Sequence, residues 1–96
     1  MKIIWHSRAT QDLNKSIQFI SERSPQNALV VLDSLLKLID SLSVFPYKYP
    51  MEPIYNNKDI RFVTKWSFKI VYRIDKNSLI ILRIFNTKKR PESLIE

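Results

Sequence analysis

The stretch from residue 60 to residue 90 constrains this chain most, because it reads as three consecutive β-strands separated by short breaks. Successive side chains of a strand point to opposite sides, so strict alternation assigns each residue to one face. The middle strand gives one face Phe68, Ile70, Tyr72 and Ile74, and the other face Lys69, Val71, Arg73 and Asp75. Residues 75–77 (Asp-Lys-Asn) mark a tight turn, since asparagine tolerates a left-handed backbone. An antiparallel meander is therefore predicted.

One face of this meander is predicted to be rich in cations. Carrying the alternation across antiparallel neighbours places on that face Arg61, Lys65, Lys69, Arg73 and Arg83, with Val63, Val71, Ile81 and Phe85 between them. A solvated outer face is one interpretation, because antiparallel sheets commonly bury one side and expose the other. The other interpretation is a binding surface. The lack of acids on this face, apart from Asp75 at a strand end, favours the second.

Composition excludes several classes of functional site. The 96 residues predict one domain spanning residues 1–96. The chain has no cysteine and a single histidine, His6, which excludes a disulfide framework and argues against a zinc site. It also has no glycine, which removes phosphate loops and dinucleotide fingerprints. No metal and no cofactor are therefore expected.

The charge of the chain is unevenly distributed. Of the net charge of +7, residues 1–46 contribute +1 and residues 47–96 contribute +6. Basic charge concentrated in the strand-rich half indicates a polyanionic partner, either nucleic acid or an acidic protein segment. The N-terminal residues lack the apolar run of a signal peptide, and no segment reaches the length of a membrane span. We expect a cytoplasmic protein without a membrane partner.

The first half of the chain predicts a short strand and a helical hairpin. Residues 2–5 read as a strand, after which Ser7 is expected to cap the first helix. Ser24-Pro25 ends that helix and starts the next, which runs to Leu42. Residues 46–59 contain three prolines and form an irregular crossover. The predicted fold is α+β, in the order β-α-α-β-β-β, with a helical hairpin packed on a small, mostly antiparallel sheet.

This pattern resembles the RelE/ParE superfamily of bacterial toxins over nearly its whole length. In the helical half the resemblance is carried by Trp5, Ala9, Asp12-Leu13, Ile17, Phe19-Ile20, Ser24-Pro25, Ala28, Leu42 and Phe45-Pro46. In the strand half it is carried by Arg61, residues 68–74 (FKIVYRI), residues 80–84 (IILRI) and the basic tail with Lys88, Lys89, Arg90 and Pro91. The resemblance implies the toxin of a type II toxin–antitoxin module, neutralised by a small acidic antitoxin protein.

The resemblance leaves the target open. ParE-like members poison DNA gyrase, whereas RelE-like members enter the ribosome and cleave mRNA with basic residues of the sheet. If the chain is a nuclease, the resemblance implies catalytic roles for Lys69, Arg83 and Arg61. Target binding is expected of the neighbouring residues and of the tail, namely Lys65, Arg73, Phe85, Lys88, Lys89 and Arg90.

Asn86 is the departure from the nuclease pattern that matters most, since it stands where that pattern often has histidine. Cleavage of RNA through the 2′-hydroxyl needs a base, and an amide side chain cannot accept the proton. A lysine such as Lys65 or Lys69, with its pKa lowered by neighbouring cations, is the alternative base. His6 is far away in sequence and is interpreted as a structural residue. The sequence therefore favours a gyrase inhibitor. A ribosome-dependent endoribonuclease, or a decayed toxin that only binds its antitoxin, remains the alternative.

Overall fold

The computed structural model describes residues 1–87, which form two helices and four strands. Their bounds are β1 Lys2–Trp5, α1 Ser7–Arg23, α2 Pro25–Leu42, β2 Ile60–Lys65, β3 Phe68–Ile74 and β4 Ser78–Asn86. This order confirms the predicted β-α-α-β-β-β arrangement and the α+β class. The basic tail residues Lys88, Lys89 and Arg90 lie outside the described residues.

The four strands form one sheet in the spatial order β1-β4-β3-β2. The meander is antiparallel, whereas β1 runs parallel to β4, with Lys2 opposite Ser78 and Trp5 opposite Ile81. A parallel pair cannot be closed by a tight turn and requires a longer connection. Here the connection includes the helical hairpin, which packs against one face of the sheet.

The hydrophobic core lies between the helices and this face of the sheet. Its buried members include, from the helices, Ala9, Leu13, Leu35, Ile39 and Leu42, and from the sheet, Val63, Phe68, Ile70, Tyr72, Ile74, Leu79, Ile81 and Ile84. Tyr72 is fully buried, and its hydroxyl donates a 2.7 Å hydrogen bond to the carbonyl of Pro46. Burial also raises the pKa of Tyr72 to about 12, so the phenol stays a donor and holds the crossover segment against the sheet.

The predicted placement of Arg61 and Lys65 on the face of Lys69 is wrong. The turn between β2 and β3 has only two residues, so Lys65 pairs with Phe68 and Arg61 pairs with Tyr72. Directly opposed residues of antiparallel strands share a face. Arg61, Lys65 and Val63 therefore lie on the helix side of the sheet, because an even-numbered residue of β3 faces each odd-numbered residue of β2.

The predicted position of Ile81 among the cations is also wrong, and a β-bulge is the reason. Val71 pairs with Arg83, but its neighbour Tyr72 pairs with Ile81, which leaves Leu82 as an extra residue in β4. One inserted residue reverses the alternation beyond it. Ile81 therefore turns into the core, where it is fully buried, while Arg83 keeps the predicted side.

The two helices begin with different capping side chains. Ser24 caps α2 as predicted, since its hydroxyl accepts from the backbone N–H of Asn27 at 3.2 Å and Pro25 is the first helical residue. In α1 the cap is His6 and not Ser7, because Ser7 is already helical. The Nδ1 atom of His6 accepts from the N–H of Arg8 at 3.1 Å. This contact gives the single histidine a structural role.

Replacing His6 by alanine should lower the free energy of unfolding by about 0.5–2 kcal/mol, because an N–H of the first turn of α1 loses its acceptor. Ser7→Ala is the matched control and should change stability little. His6→Asp should restore stability, since a carboxylate accepts the same bond and favours the positive end of the helix dipole. Urea unfolding followed by circular dichroism measures all three. A larger loss for Ser7→Ala than for His6→Ala would contradict this assignment of the cap.

Candidate functional site

The candidate site is the outer face, which we define as the side of the sheet turned away from the helices. Two cross-strand rows form its centre. In one row Val71 lies between Phe62 and Arg83, and in the other Lys69 lies between Thr64 and Phe85. The structure thus places two of the expected cations and the expected aromatic residue next to one another.

Lys69 is held on the outer face by a carboxylate from the crossover segment. This segment adds to the free edge of β2, where the N–H of Glu52 donates to the carbonyl of Ile60 at 2.9 Å and the N–H of Phe62 donates to the carbonyl of Pro50 at 3.1 Å. The pairing carries Glu52 over the sheet, where its Oε2 atom lies 2.7 Å from the Lys69 ammonium. The same ammonium lies 4.7 Å from the ring centre of Phe62.

The Glu52–Lys69 pair is largely removed from water. Glu52 is 1% exposed, and the side chain of Lys69 keeps 26% of its surface exposed. The Lys69 ammonium approaches the Oε2 atom of Glu52 outside the angles of a hydrogen bond. The contact between the two opposite charges is therefore described as an ion pair. The attraction is nevertheless strong at this distance because solvent screening is weak in a buried site. A phosphate that bound Lys69 would compete with this carboxylate.

Arg83 is likewise held by a carboxylate, that of Asp12 in α1. Its Nε and Nη2 atoms donate to the two Asp12 oxygens at 2.7 and 3.1 Å, and the backbone N–H of Ile84 donates to the same carboxylate at 3.0 Å. The hydrogen bond to Asp12 raises the pKa of Arg83. The guanidinium also lies 4.7 Å from the ring centre of Phe85. Arg83 is therefore fixed in position and locally neutralised.

Arg61 binds the backbone of the crossover segment. Its Nε atom donates to the carbonyl of Lys58 at 2.8 Å, and its Nη1 atom donates to the carbonyl of Tyr49 at 3.0 Å. Its guanidinium also lies 5.1 Å from the ring centre of Tyr47, whose hydroxyl donates to Asp59 at 2.7 Å. That hydrogen bond raises the pKa of Tyr47. Arg61 thus stabilises the loop and is not part of the outer face.

The other expected binding residues are separated from one another. The Lys65 ammonium lies over the ring of Trp66, 5.2 Å from its centre, at the β2–β3 turn. Arg73 lies on the outer face opposite Ile80 and is exposed. The five cations expected on one face are therefore reduced to three. Two of these, Lys69 and Arg83, have intramolecular carboxylate partners.

Two side chains that could transfer a proton during RNA cleavage, those of His6 and Tyr72, have other partners within residues 1–87. Such a reaction needs cations that can hold a phosphate and a group that can take a proton. The Nδ1 atom of His6 caps α1, and the buried hydroxyl of Tyr72 donates its proton to the carbonyl of Pro46. The described histidine, aspartate and glutamate side chains form no group of three that could hold a metal ion. Neither α1 nor α2 has the length and hydropathy needed to cross a membrane.

Sequence reasoning missed Asp12 and Glu52, the two carboxylates that organise this face. Asp12 carries a detectable signal, because it lies three residues after Ala9 and beside Leu13 on the buried stripe of α1. An acid in that position requires a cationic or hydrogen-bonding partner. Glu52 stands between prolines in an irregular segment, and only the pairing of that segment with β2 reveals its role.

Comparison with known proteins identifies the family. Residues 3–91 match the family model described as the ParE toxin of the type II toxin–antitoxin system, parDE. The chain belongs to the ParE toxin family. The chromosomal ParDE TA system from P. aeruginosa has a similar fold, with a TM-score of 0.75 at 21% identity, covering 92% of this chain and 97% of that chain. No curated protein matches the chain. The match to this ParE fold agrees with the predicted RelE/ParE-type architecture.

Glu52→Ala should lower the free energy of unfolding by about 1–3 kcal/mol, because it leaves the Lys69 ammonium without its partner in a mostly buried site. This cost is smaller than that of breaking a fully buried ion pair, because Lys69 retains some contact with water. Asp33→Ala is the matched control. It removes the exposed 3.0 Å pair of Asp33 with Lys37 and should cost at most about 0.5 kcal/mol.

Denaturant unfolding in low and high salt separates the two pairs. Added salt should abolish the effect of Asp33→Ala and leave most of the effect of Glu52→Ala, because buried charges are weakly screened. Lys69→Met in the Glu52→Ala background should recover part of the lost stability. Equal costs for the two single variants would show that the Glu52–Lys69 pair is not buried in solution.

Proposed function

We propose that this chain is the toxin of a type II module and acts by inhibiting DNA gyrase. The observation that carries the proposal is the pairing of Lys69 with Glu52 and of Arg83 with Asp12. A nuclease of this superfamily would use such cations to stabilise charge that develops on a phosphate, and cations already neutralised within the fold do this poorly. Inhibition through a binding surface needs neither a free cation set nor a general base.

The proposed partner of the toxin is a small acidic antitoxin. The family membership supports this, and a solved structure with a similar fold is a ParDE toxin–antitoxin system. The net charge of +7 also supports it, since it favours rapid association with an acidic protein. The proposed domain is the whole of residues 1–96.

Ribosome-dependent mRNA cleavage is the second candidate, and one feature of the outer face favours it. Phe62 and Phe85 each lie against a cation on this face. Aromatic rings beside cations can stack a nucleotide base and hold its phosphate. For this activity the Lys69 ammonium must hold a phosphate in competition with Glu52.

A variant that removes the charge of Lys69 without leaving an unpaired acid separates the two candidates. Lys69→Met combined with Glu52→Gln should keep the fold. If the chain inhibits gyrase, this double variant should remain toxic within a few-fold of the wild type. If the chain cleaves mRNA, the loss of the cation should reduce activity by a factor of about 10² to 10³. The proposal predicts the first result.

The readouts are growth, DNA integrity and mRNA integrity after induction in a bacterial host. Wild-type chain should arrest growth and produce gyrase-linked double-strand breaks, and primer extension on translated messages should show no new ends. Discrete cuts within ribosome-occupied codons, lost in the double variant, would establish the nuclease. Folded, well-expressed chain that leaves growth unchanged would identify a decayed module.

A further inference from the structure

Trp66 adopts a backbone conformation that tryptophan rarely takes. It occupies the two-residue turn between β2 and β3 with a φ of 53°. This left-handed region is open to glycine and tolerated by asparagine, but it is strained for a bulky residue. The other non-glycine residue with a positive φ within residues 1–87 is an asparagine, Asn56. Folding alone would therefore favour a different residue at position 66.

The side chain of Trp66 is also largely in water. It is 60% exposed, so burial of the indole does not compensate for the strained turn. A strained conformation that packing does not explain points to function. An exposed tryptophan is well suited to binding, because this residue type is enriched among the few side chains that carry most of the affinity of protein interfaces.

Trp66 borders an uncharged groove that lies between the helical hairpin and the end of the sheet. The groove has a volume of about 460 Å³, and Phe19, Val30 and Val31 contribute to its walls on the helix side. Phe19 and Val30 are at least half exposed. The groove has room for a few apolar side chains of a partner and is too small for a folded domain.

Both aromatic walls of the groove carry a cation. The Arg23 guanidinium lies 4.0 Å from the ring centre of Phe19, and the Lys65 ammonium lies 5.2 Å from that of Trp66. The groove therefore combines an apolar floor with positive charge at its rim. This pattern complements a segment that presents apolar side chains flanked by carboxylates.

We propose that this groove binds an acidic, apolar segment of a partner protein, with Trp66 as the anchor. The net charge of +7 disfavours a second copy of the chain as the occupant, because two strongly basic molecules repel each other. The identity of the partner rests on the proposed function, which supplies a small acidic antitoxin. The strain at Trp66 is then retained because the indole contributes to binding.

The test uses the full chain and, as the probe, the proposed antitoxin, expressed from the reading frame next to the toxin gene. Trp66→Gly should weaken binding at least about 30-fold, as expected for the loss of an anchor residue. The melting temperature of the free variant should stay at or above that of the wild type, because glycine adopts the left-handed turn without strain. Val30→Asp is a second variant with a folded helix, and it should also weaken binding.

Two matched controls distinguish the groove from general surface effects. Ile54→Ser removes an apolar side chain that is 83% exposed on the crossover segment, and it should leave the affinity unchanged. Reversing the rim charge with Arg23→Glu and Lys65→Glu should weaken binding and reduce its salt dependence. Lys58→Glu combined with Lys76→Glu makes the same change of net charge away from the groove and should have a much smaller effect.

The outcomes separate this inference from the proposed function. If the wild-type chain does not bind the acidic protein, the proposed function loses its partner. If it binds, but Trp66→Gly and Val30→Asp retain affinity within about two-fold, the groove is not the site and the proposed function stands. A concentration-dependent dimer of the wild type that Val30→Asp abolishes would instead make a second copy the occupant.

Discussion

The arrangement of the helices on the sheet depends on the hydrogen bonds that the Asp12 carboxylate accepts from β4. β1 pairs with β4 only as far as Ile81, so the next part of the β4 edge lacks a strand partner. Asp12 takes that place by accepting from the N–H of Ile84, and its two oxygens also hold the guanidinium of Arg83. One side chain therefore joins α1 to the sheet edge and orients a cation of the outer face.

The outer face shows how a basic chain can use its charge internally. Lys69 and Arg83 each contact a carboxylate and an aromatic ring. These contacts fix both side chains and reduce their attraction for phosphate. One patch of exposed apolar surface lies away from this face, around Trp66 at the turn between β2 and β3. The pairing of these two cations within the fold and the location of the groove are the observations on which the proposed binding to protein partners rests.

Much of the fold follows from local sequence signals. Alternation in residues 68–74, the Ser24-Pro25 boundary and the break at residues 75–77 identify their elements because each signal acts over a few residues. The site was predictable only in part. Lys69, Arg83 and Phe85 lie on the predicted face, whereas Arg61 and Lys65 lie on the opposite face. The register of β2 depends on a two-residue turn, and a shift of the register by one residue exchanges the two faces of a strand.

The sequence by itself determined the order of elements, the class of the fold and the resemblance to a toxin family, because periodicity, caps and breakers are properties of short segments. Only the tertiary structure decided that Lys69 and Arg83 are paired with carboxylates. Asp12 and Arg83 are 71 residues apart in the chain, and Glu52 reaches Lys69 through an irregular segment added to the edge of β2. Such pairings arise from the packing of distant segments, so a local pattern can indicate that Asp12 needs a partner but not which residue the partner is.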